Sequence, residues 1–350
     1  MITDLRLQNY RSYKDDSFEL SSGVNIVVGP NASGKTNLLE AVLVLARGQS
    51  YRAKDIELVK FSKPWARIDA DLSTSGKRTV KIITEPASKT YEIEGKVFKR
   101  LSLPHSLPVV LFEPNHLQLL GGSPERRRDY LDDLIEQTTA GYGTIRRQYR
   151  RALAQRNSLL KKTQSSTQSQ VFPWNVRLSQ LAGQIVRARS NLAQEINKEI
   201  PKLYKQISGT KTKVTVEYQN RRPVDNYESQ MLKKLESSFD DDRLRGFTSV
   251  GPHREDLEVL FEGRAAQNTA SRGEARTAVL ALKIIELKII EAARAQTPLL
   301  LLDDVFSELD GRRRHALTDY LAPYQTFITT TDADLVVKNF TKACNVIALG

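Results

Sequence analysis

Cysteine is almost missing from this 350-residue chain: Cys344 stands alone, which excludes an intramolecular disulfide and a thiolate metal cluster and suits a reducing compartment. No apolar run approaches the roughly 20 residues that span a bilayer. The longest, Leu38 to Ala46 and Leu299 to Leu302, predict no membrane helix. The opening Met1-Ile2-Thr3-Asp4-Leu5-Arg6 lacks the apolar centre of a secretory signal, so a cytoplasmic protein is expected. The histidines, His105, His116, His253 and His315, have no metal-ligand spacing, and His253 is expected to make a structural hydrogen bond. No nucleophile elbow, cysteine–histidine pair, helix-turn-helix, zinc finger or aromatic stacking platform is visible, and no repeat has a solenoid or propeller period.

Positive charge is plentiful. Fifty-three Lys and Arg against 41 Asp and Glu leave a net +12, which favours a polyanionic partner without separating DNA, RNA and acidic proteins.

The first hundred residues read as strands at Ile2 to Leu7, Val24 to Val28, Ala66 to Leu72, Arg78 to Thr84 and Thr90 to Lys99, with turns near Ser75-Gly76-Lys77 and at Glu94-Gly95-Lys96. Ile68, Ala70, Leu72, Val80, Ile82, Tyr91 and Ile93 alternate at period two, the mark of an antiparallel sheet with one buried face. After Gly121-Gly122, Ser123 as N-cap and Pro124 at the first position open a helix. A second helix, bearing Ile145 to Leu160, and a third, bearing Leu178 to Ile196, flank a polar Lys161 to Gln170 stretch and suggest an antiparallel hairpin, each helix having at most about 30 residues, or roughly 45 Å. A strand at Lys213 to Tyr218, a helix near Met231 and Leu235, and a strand at Leu257 to Phe261 follow.

The chemistry is concentrated in two places. Gly29-Pro30-Asn31-Ala32-Ser33-Gly34-Lys35-Thr36 is a P-loop pattern between an apolar strand and a helix. Its backbone N–H groups are suited to wrap phosphates, Lys35 to neutralise the β- and γ-phosphates, and Thr36 to offer its hydroxyl to Mg²⁺. ATP and Mg²⁺ are therefore the expected cofactors. Pro298 to Asp304 reads as a buried strand ending in two carboxylates. Asp303 is expected to hold Mg²⁺ through water; Asp304 stands where a general base would orient the attacking water, support for its neighbour being the alternative.

Ser271-Arg272-Gly273-Glu274 before a long apolar helix, together with the P-loop, the double-acid strand and Ser307-Glu308-Leu309-Asp310, resembles the ABC-type ATPases of the SMC class. More narrowly, Leu7-Gln8-Asn9-Tyr10-Arg11-Ser12, Gly122-Ser123-Pro124-Glu125-Arg126-Arg127-Arg128, Gly251-Pro252-His253-Arg254-Glu255-Asp256 and Leu302 to Asp310 are similar to motifs of the RecF family, nearly the whole chain being covered. The resemblance implies an α/β fold, an ABC-type SMC-like ATPase head with a P-loop mixed sheet, an antiparallel β subdomain and an inserted helical arm. The expected division is 1–115 for head lobe I, 116–245 for the arm and 246–350 for lobe II. It also implies an ATP-dependent homodimer in which Ser271, Arg272 and Gly273 of one protomer close over the γ-phosphate held by Gly29 to Thr36 of another. Arg11, Ser12 and Asn31 become candidate nucleotide contacts. Thr330, where transporter ATPases place a switch histidine, becomes the candidate γ-phosphate sensor. Phe112-Glu113-Pro114-Asn115-His116 departs from the family's acidic pair after proline, and no Q-loop residue is assigned.

Arg146, Arg147, Arg150 and Arg151 form like-charged i,i+4 pairs, read either as a phosphate-contacting strip or as a helix face balanced by Asp132, Asp133 and Glu136. The resemblance implies binding to gapped or single-strand to double-strand junction DNA, work with RecO and RecR to load RecA, and slow, regulatory, DNA-dependent ATP hydrolysis in recombinational repair, fork recovery and the SOS response. A transporter-type ATPase subunit and an ATP-binding scaffold with negligible hydrolysis are the alternatives.

Overall fold

The computed structural model describes residues 1–74, 76–161, 167–220, 222–332 and 344–350. The expected turn residue Ser75 and positions 162–166 of the polar stretch lie outside the described residues.

By contacts the chain divides into two compact units, one of residues 1–117 with 286–350 and one of residues 118–285. The first unit holds two sheets. Strands β1 (Ile2–Gln8), β2 (Asp15–Glu19), β4 (Trp65–Leu72), β5 (Gly76–Thr84), β6 (Ala87–Ile93) and β7 (Lys96–Phe98) form an antiparallel sheet in the order β2-β1-β4-β5-β6-β7. Alternation builds it: Ala66, Ile68, Ala70 and Leu72 of β4 and Val80 and Ile82 of β5 are buried. The expected turn at Glu94-Gly95-Lys96 divides Thr90 to Lys99 into β6 and β7, with Glu94 (φ 50°) and Gly95 (φ 78°) in the left-handed region that a two-residue hairpin requires.

The second sheet is parallel, in the order β14 (Asn345–Ala348), β3 (Val24–Val28), β13 (Thr326–Thr330), β12 (Leu299–Asp303) and β8 (Val109–Phe112). Every residue of β12 and β13 is buried, as expected for inner parallel strands. Helix α1 (Lys35–Arg47) follows β3 and shares a core with both sheets, Leu38, Leu39, Val42 and Leu45 meeting Ile68, Val80, Leu301 and Phe327.

In the second unit, α2 (Pro124–Thr138) starts at Ser123 and Pro124 as expected, although the Ser123 side chain makes no capping bond. Helix α3 (Tyr142–Leu160) runs antiparallel to α4 (Gln168–Ser208): Leu160 packs near Val171, Arg156 bonds Asn175 and Arg177 bonds Gln148. With 41 residues, α4 exceeds the expected 30 and is about 60 Å long. It continues through Pro201 because Ile200, Leu203, Tyr204 and Ile207 extend its buried stripe, and that burial outweighs a proline penalty of about 3 kcal/mol.

The expected boundary at 245/246 cuts a sheet. Strand β10 (Asp256–Phe261) pairs with β9 (Val214–Gln219) on one side and β11 (Arg264–Ala265) on the other, which carries the second unit on to Ile285. Between β9 and β10 lie α5 (Tyr227–Ser237) and α6 (Phe239–Arg245); after β11 come α7 (Ala266–Thr269) and α8 (Arg272–Arg294). The chain then returns to the first unit, where α9 (Val305–Glu308) and α10 (Gly311–Leu321) follow β12. Asp310 caps α10 by accepting the Arg313 N–H at 3.0 Å.

Candidate functional site

The loop between β3 and α1 is shaped by two glycines. Gly34 sits at φ 103° before the helix, where a Cβ would stand 2.8 Å from Ser12 Oγ, and its carbonyl accepts the Tyr13 hydroxyl at 3.0 Å. A Cβ at Gly29 would stand 2.4 Å from the Leu349 carbonyl oxygen. Only bare backbone fits at either position. Lys35, 8% exposed, donates to the carbonyls of Gly29 (2.7 Å) and Pro30 (2.8 Å). Pro30, Asn31 and Ala32 are exposed, whereas the buried Ser33 hydroxyl has no hydrogen-bond partner among the described residues.

Asp303 ends β12, and sheet order brings it to this loop. Strand β13 lies between β3 and β12, its parallel register setting Thr329 opposite Asp303. Thr36 Oγ1 donates to Asp303 Oδ1 at 3.0 Å across 267 positions of sequence, and Thr329 Oγ1 donates to the same oxygen at 2.8 Å. The Tyr51 hydroxyl donates to Oδ2 at 3.0 Å. Thr36 and Asp303 thus place two hard oxygen donors together beside a backbone cradle, a set suited to Mg²⁺ and a triphosphate.

Asp304 is exposed and left-handed (φ 53°), its N–H donating to Thr329 Oγ1 at 2.9 Å. Partial burial, with the adjoining Asp303 charge, holds its carboxyl above the usual aspartate range against the pull of Ser307 and Lys35.

Arg11 does not present an open fork. Its Nε and Nη2 both bond the fully buried Glu40 of α1 at 2.9 Å, and Arg52 (3.2 Å) and Ser50 (2.6 Å) bond the same carboxylate. Burial pushes Glu40 up, yet the bonds from Arg11, Arg52 and Ser50 outweigh it and leave the carboxyl below its ordinary range. Ser12 accepts the Asn37 amide at 3.0 Å. Both Arg11 and Ser12 line a cleft of about 580 Å³ with Asn37, Ile56, Lys60 and the 94%-exposed Phe61.

Thr330 bonds its own turn, donating to the Asp332 carbonyl and accepting the Asp332 N–H, both at 3.1 Å. Thr329 is the threonine that reaches the acidic pair. Thr330, the expected sensor, is turned to its own loop, and Tyr51, whose hydroxyl reaches Asp303, carries no local sequence signal.

In the second unit, Ser271, Arg272 and Gly273 open α8. Ser271 Oγ accepts the Glu274 N–H (3.2 Å) while Glu274 accepts the Ser271 N–H (2.8 Å), a reciprocal cap that fixes the helix start. Ser271 and Arg272 are exposed.

The four-arginine strip is not one surface. Arg146, its side chain 12% exposed, turns onto Asp129 (2.6 Å), Asp132 (2.9 Å), Glu136 (3.2 Å) and Asp133 (3.5 Å), because α2 carries four carboxylates along the face that meets it. It is therefore withdrawn as a phosphate contact. Arg147, Arg150 and Arg151 are exposed, Arg147 bonding Thr144 at 2.9 Å and Arg150 standing 3.9 Å from Asp129.

The family-like segments Gly122 to Arg128 and Gly251 to Asp256 meet in a polar core. Arg127 forks onto Asp256 (2.8 and 2.6 Å), Arg128 bonds the Glu255 carbonyl, and Glu255 accepts the Tyr218 and Tyr227 hydroxyls at 2.7 and 2.6 Å. His253 Nε2 donates to the Thr248 carbonyl and Nδ1 accepts the Tyr149 hydroxyl, the structural role expected; burial brings its pKa to about 4.

A family model described as the RecF/RecN/SMC N terminal domain matches residues 1–348. The DNA replication and repair protein RecF of Limosilactobacillus fermentum (strain NBRC 3956 / LMG 18251) is 34% identical over 351 residues, covering 97% of this chain and 94% of the relative. The chain belongs to the RecF family. RecF of Heliobacterium modesticaldum (strain ATCC 51547 / Ice1) is 33% identical over 342 residues, covering 94% and 92%. A solved structure of the recombination mediator protein RecF-ATPrS in the RecFOR pathway superposes with a TM-score of 0.89 at 30% identity, covering 99% of this chain and 96% of that one. The Smc head bound to the C-winged helix domain of ScpA, at TM-score 0.56 and 15% identity over 99% and 93%, shares the fold alone. The architecture is that of an ABC-type, SMC-like ATPase head, and membership of the RecF family of DNA replication and repair proteins replaces the transporter alternative. Among the described residues no helix is long and apolar enough to cross a membrane.

Proposed function

We propose that this chain is a cytoplasmic, ATP-dependent DNA clamp that binds gapped and single-strand to double-strand junction DNA and, with RecO and RecR, promotes RecA loading. The observation that carries the nucleotide part is the 3.0 Å bond between Thr36 of the phosphate loop and Asp303 of the acidic strand. The bound nucleotide supplies a γ-phosphoryl group for slow transfer to water. Gly29 to Gly34 line the cradle, Lys35 leaves its two carbonyl partners to balance phosphate charge, and Thr36 and Asp303 hold Mg²⁺. Asp304, raised above the aspartate range and exposed beside this pair, takes the proton of the attacking water. Asn31 lies in the loop and Ser12 beside Gly34; Arg11 reaches nucleotide only by leaving Glu40, and Thr330 senses the γ-phosphate only by leaving Asp332. Ser271, Arg272 and Gly273 of a second protomer close the site, making ATP the ligand that assembles the dimer. Support for the DNA part comes from the net +12, the exposed Arg147, Arg150 and Arg151, and the names of the relatives.

Sedimentation with ATP tests this reading. Lys35→Ala is expected to stay monomeric and to bind no nucleotide, whereas Asp304→Asn binds ATP and accumulates as dimer. ATP-driven dimers of the Lys35 variant would refute the proposed site.

A further inference from the structure

Helix α1 is crossed by a strap that touches both ends of the nucleotide machinery. Ser50 Oγ donates to Glu40 at 2.6 Å, Arg52 bonds Glu40 and the Asn37 side-chain oxygen (2.7 Å), and between them Tyr51 donates to Asp303 Oδ2 at 3.0 Å. The opposite carboxylate oxygen is taken by Thr36 and Thr329. Asp303 is therefore fixed by three hydroxyl donors, two of them in or beside the expected motifs and the third arriving from a loop 252 positions away. We infer that Tyr51 is a positioning residue for metal binding: through its hydroxyl it holds the Asp303 carboxylate in the orientation in which Oδ1 faces Thr36 and the divalent cation. This rests on the reading of Thr36 and Asp303 as the Mg²⁺ site.

The physical argument has two parts. A carboxylate on the end of a strand can rotate about its terminal bond, and a donor on Oδ2 removes that freedom before the metal arrives. The donor must also be held in place itself. The strap itself is anchored on a carboxylate that is fully buried and held by Arg11 and Arg52, which makes Ser50 to Arg52 a rigid support.

The test measures Mn²⁺ binding by electron paramagnetic resonance on the full chain loaded with a non-hydrolysable ATP analogue, beside analogue binding in EDTA and the melting temperature. Loss of one partner of a metal-ligating group weakens metal affinity by about 10- to 100-fold. Because Thr36 and Thr329 remain, Tyr51→Phe is expected near the lower end, about 10-fold, with metal-free analogue affinity unchanged and a matching rise in the metal needed for half-maximal hydrolysis. Ser50→Ala, which keeps the phenol and loosens its strap, moves Mn²⁺ affinity the same way by a smaller factor and stands in should the Phe variant fail to fold. Wild-type Mn²⁺ affinity in Tyr51→Phe overturns the inference while leaving the site standing. Equal loss of metal-free analogue affinity also overturns it, since the residue would then shape the loop as a whole. A wild-type chain that binds analogue but no Mn²⁺ overturns the metal site and the inference together.

Discussion

The arginines of α3 allow a sharp separation between charge that faces solvent and charge that is internal. Replacing Arg147, Arg150 and Arg151 together with Gln removes three exposed guanidinium groups; replacing Arg146 alone removes a nearly buried one ringed by four carboxylates. If each exposed group neutralises one phosphate, the triple change flattens the slope of log K against log salt by about 2.7, or roughly 40-fold of the salt effect between about 50 and 200 mM. Its folding stability should stay within about 0.5 kcal/mol of wild type. Arg146→Gln behaves in the opposite way. Breaking a buried ion pair costs about 3–5 kcal/mol, and the lower end applies here, since Asp129 and Asp133 are about half exposed and Asp132 keeps Arg189 at 2.8 Å. Urea unfolding measures the second quantity, and fluorescence anisotropy with gapped duplex across a salt series measures the first. A stable Arg146→Gln protein with a flattened salt slope would refute the assignment of that residue to the interior.

Two pH predictions follow from named groups. In the proposed role Asp304 would act as base only when ionised, and its raised pKa would move the acidic limb of the hydrolysis rate above the ordinary aspartate value; Asp304→Asn should remove the activity that defines the limb, and a limb at the unperturbed position would count against the role. His253 is depressed from 6.5 to about 4 by burial, so the unfolded chain takes up a proton that the fold refuses. Stability should then fall as pH drops from about 6.5 to about 4, by at most about 1.4 kcal/mol per pH unit, and His253→Gln should remove that part of the slope in urea titrations at each pH.

The legible parts of the fold were those whose signals are local. Strand β3, the glycine loop and α1 occupy adjoining positions, and Leu299 to Leu302 announce a buried strand by composition alone. Strand β2 escaped because Asp15–Glu19 buries no residue fully and so leaves no alternation to read. Helix α4 outran its expected length because the burial of Ile200, Leu203, Tyr204 and Ile207, which carries it through Pro201, is set by tertiary packing. The domain boundary failed for a similar reason: β9 and β10 read as separate strands, and nothing within either one shows that they pair.

By itself the order of residues determined the phosphate loop, the acidic strand and the reciprocal cap at Ser271, since each is built from neighbours within a few positions. Only tertiary structure decided that β13 lies between β3 and β12, so that Thr329 rather than Thr330 meets Asp303, that Tyr51 completes its hydrogen bonds, and that Arg146 is neutralised inside the second unit. Periodicity reports which way a side chain faces along its own element. The partner it finds there is set by strand order and helix packing, which depend on residues far away in the chain.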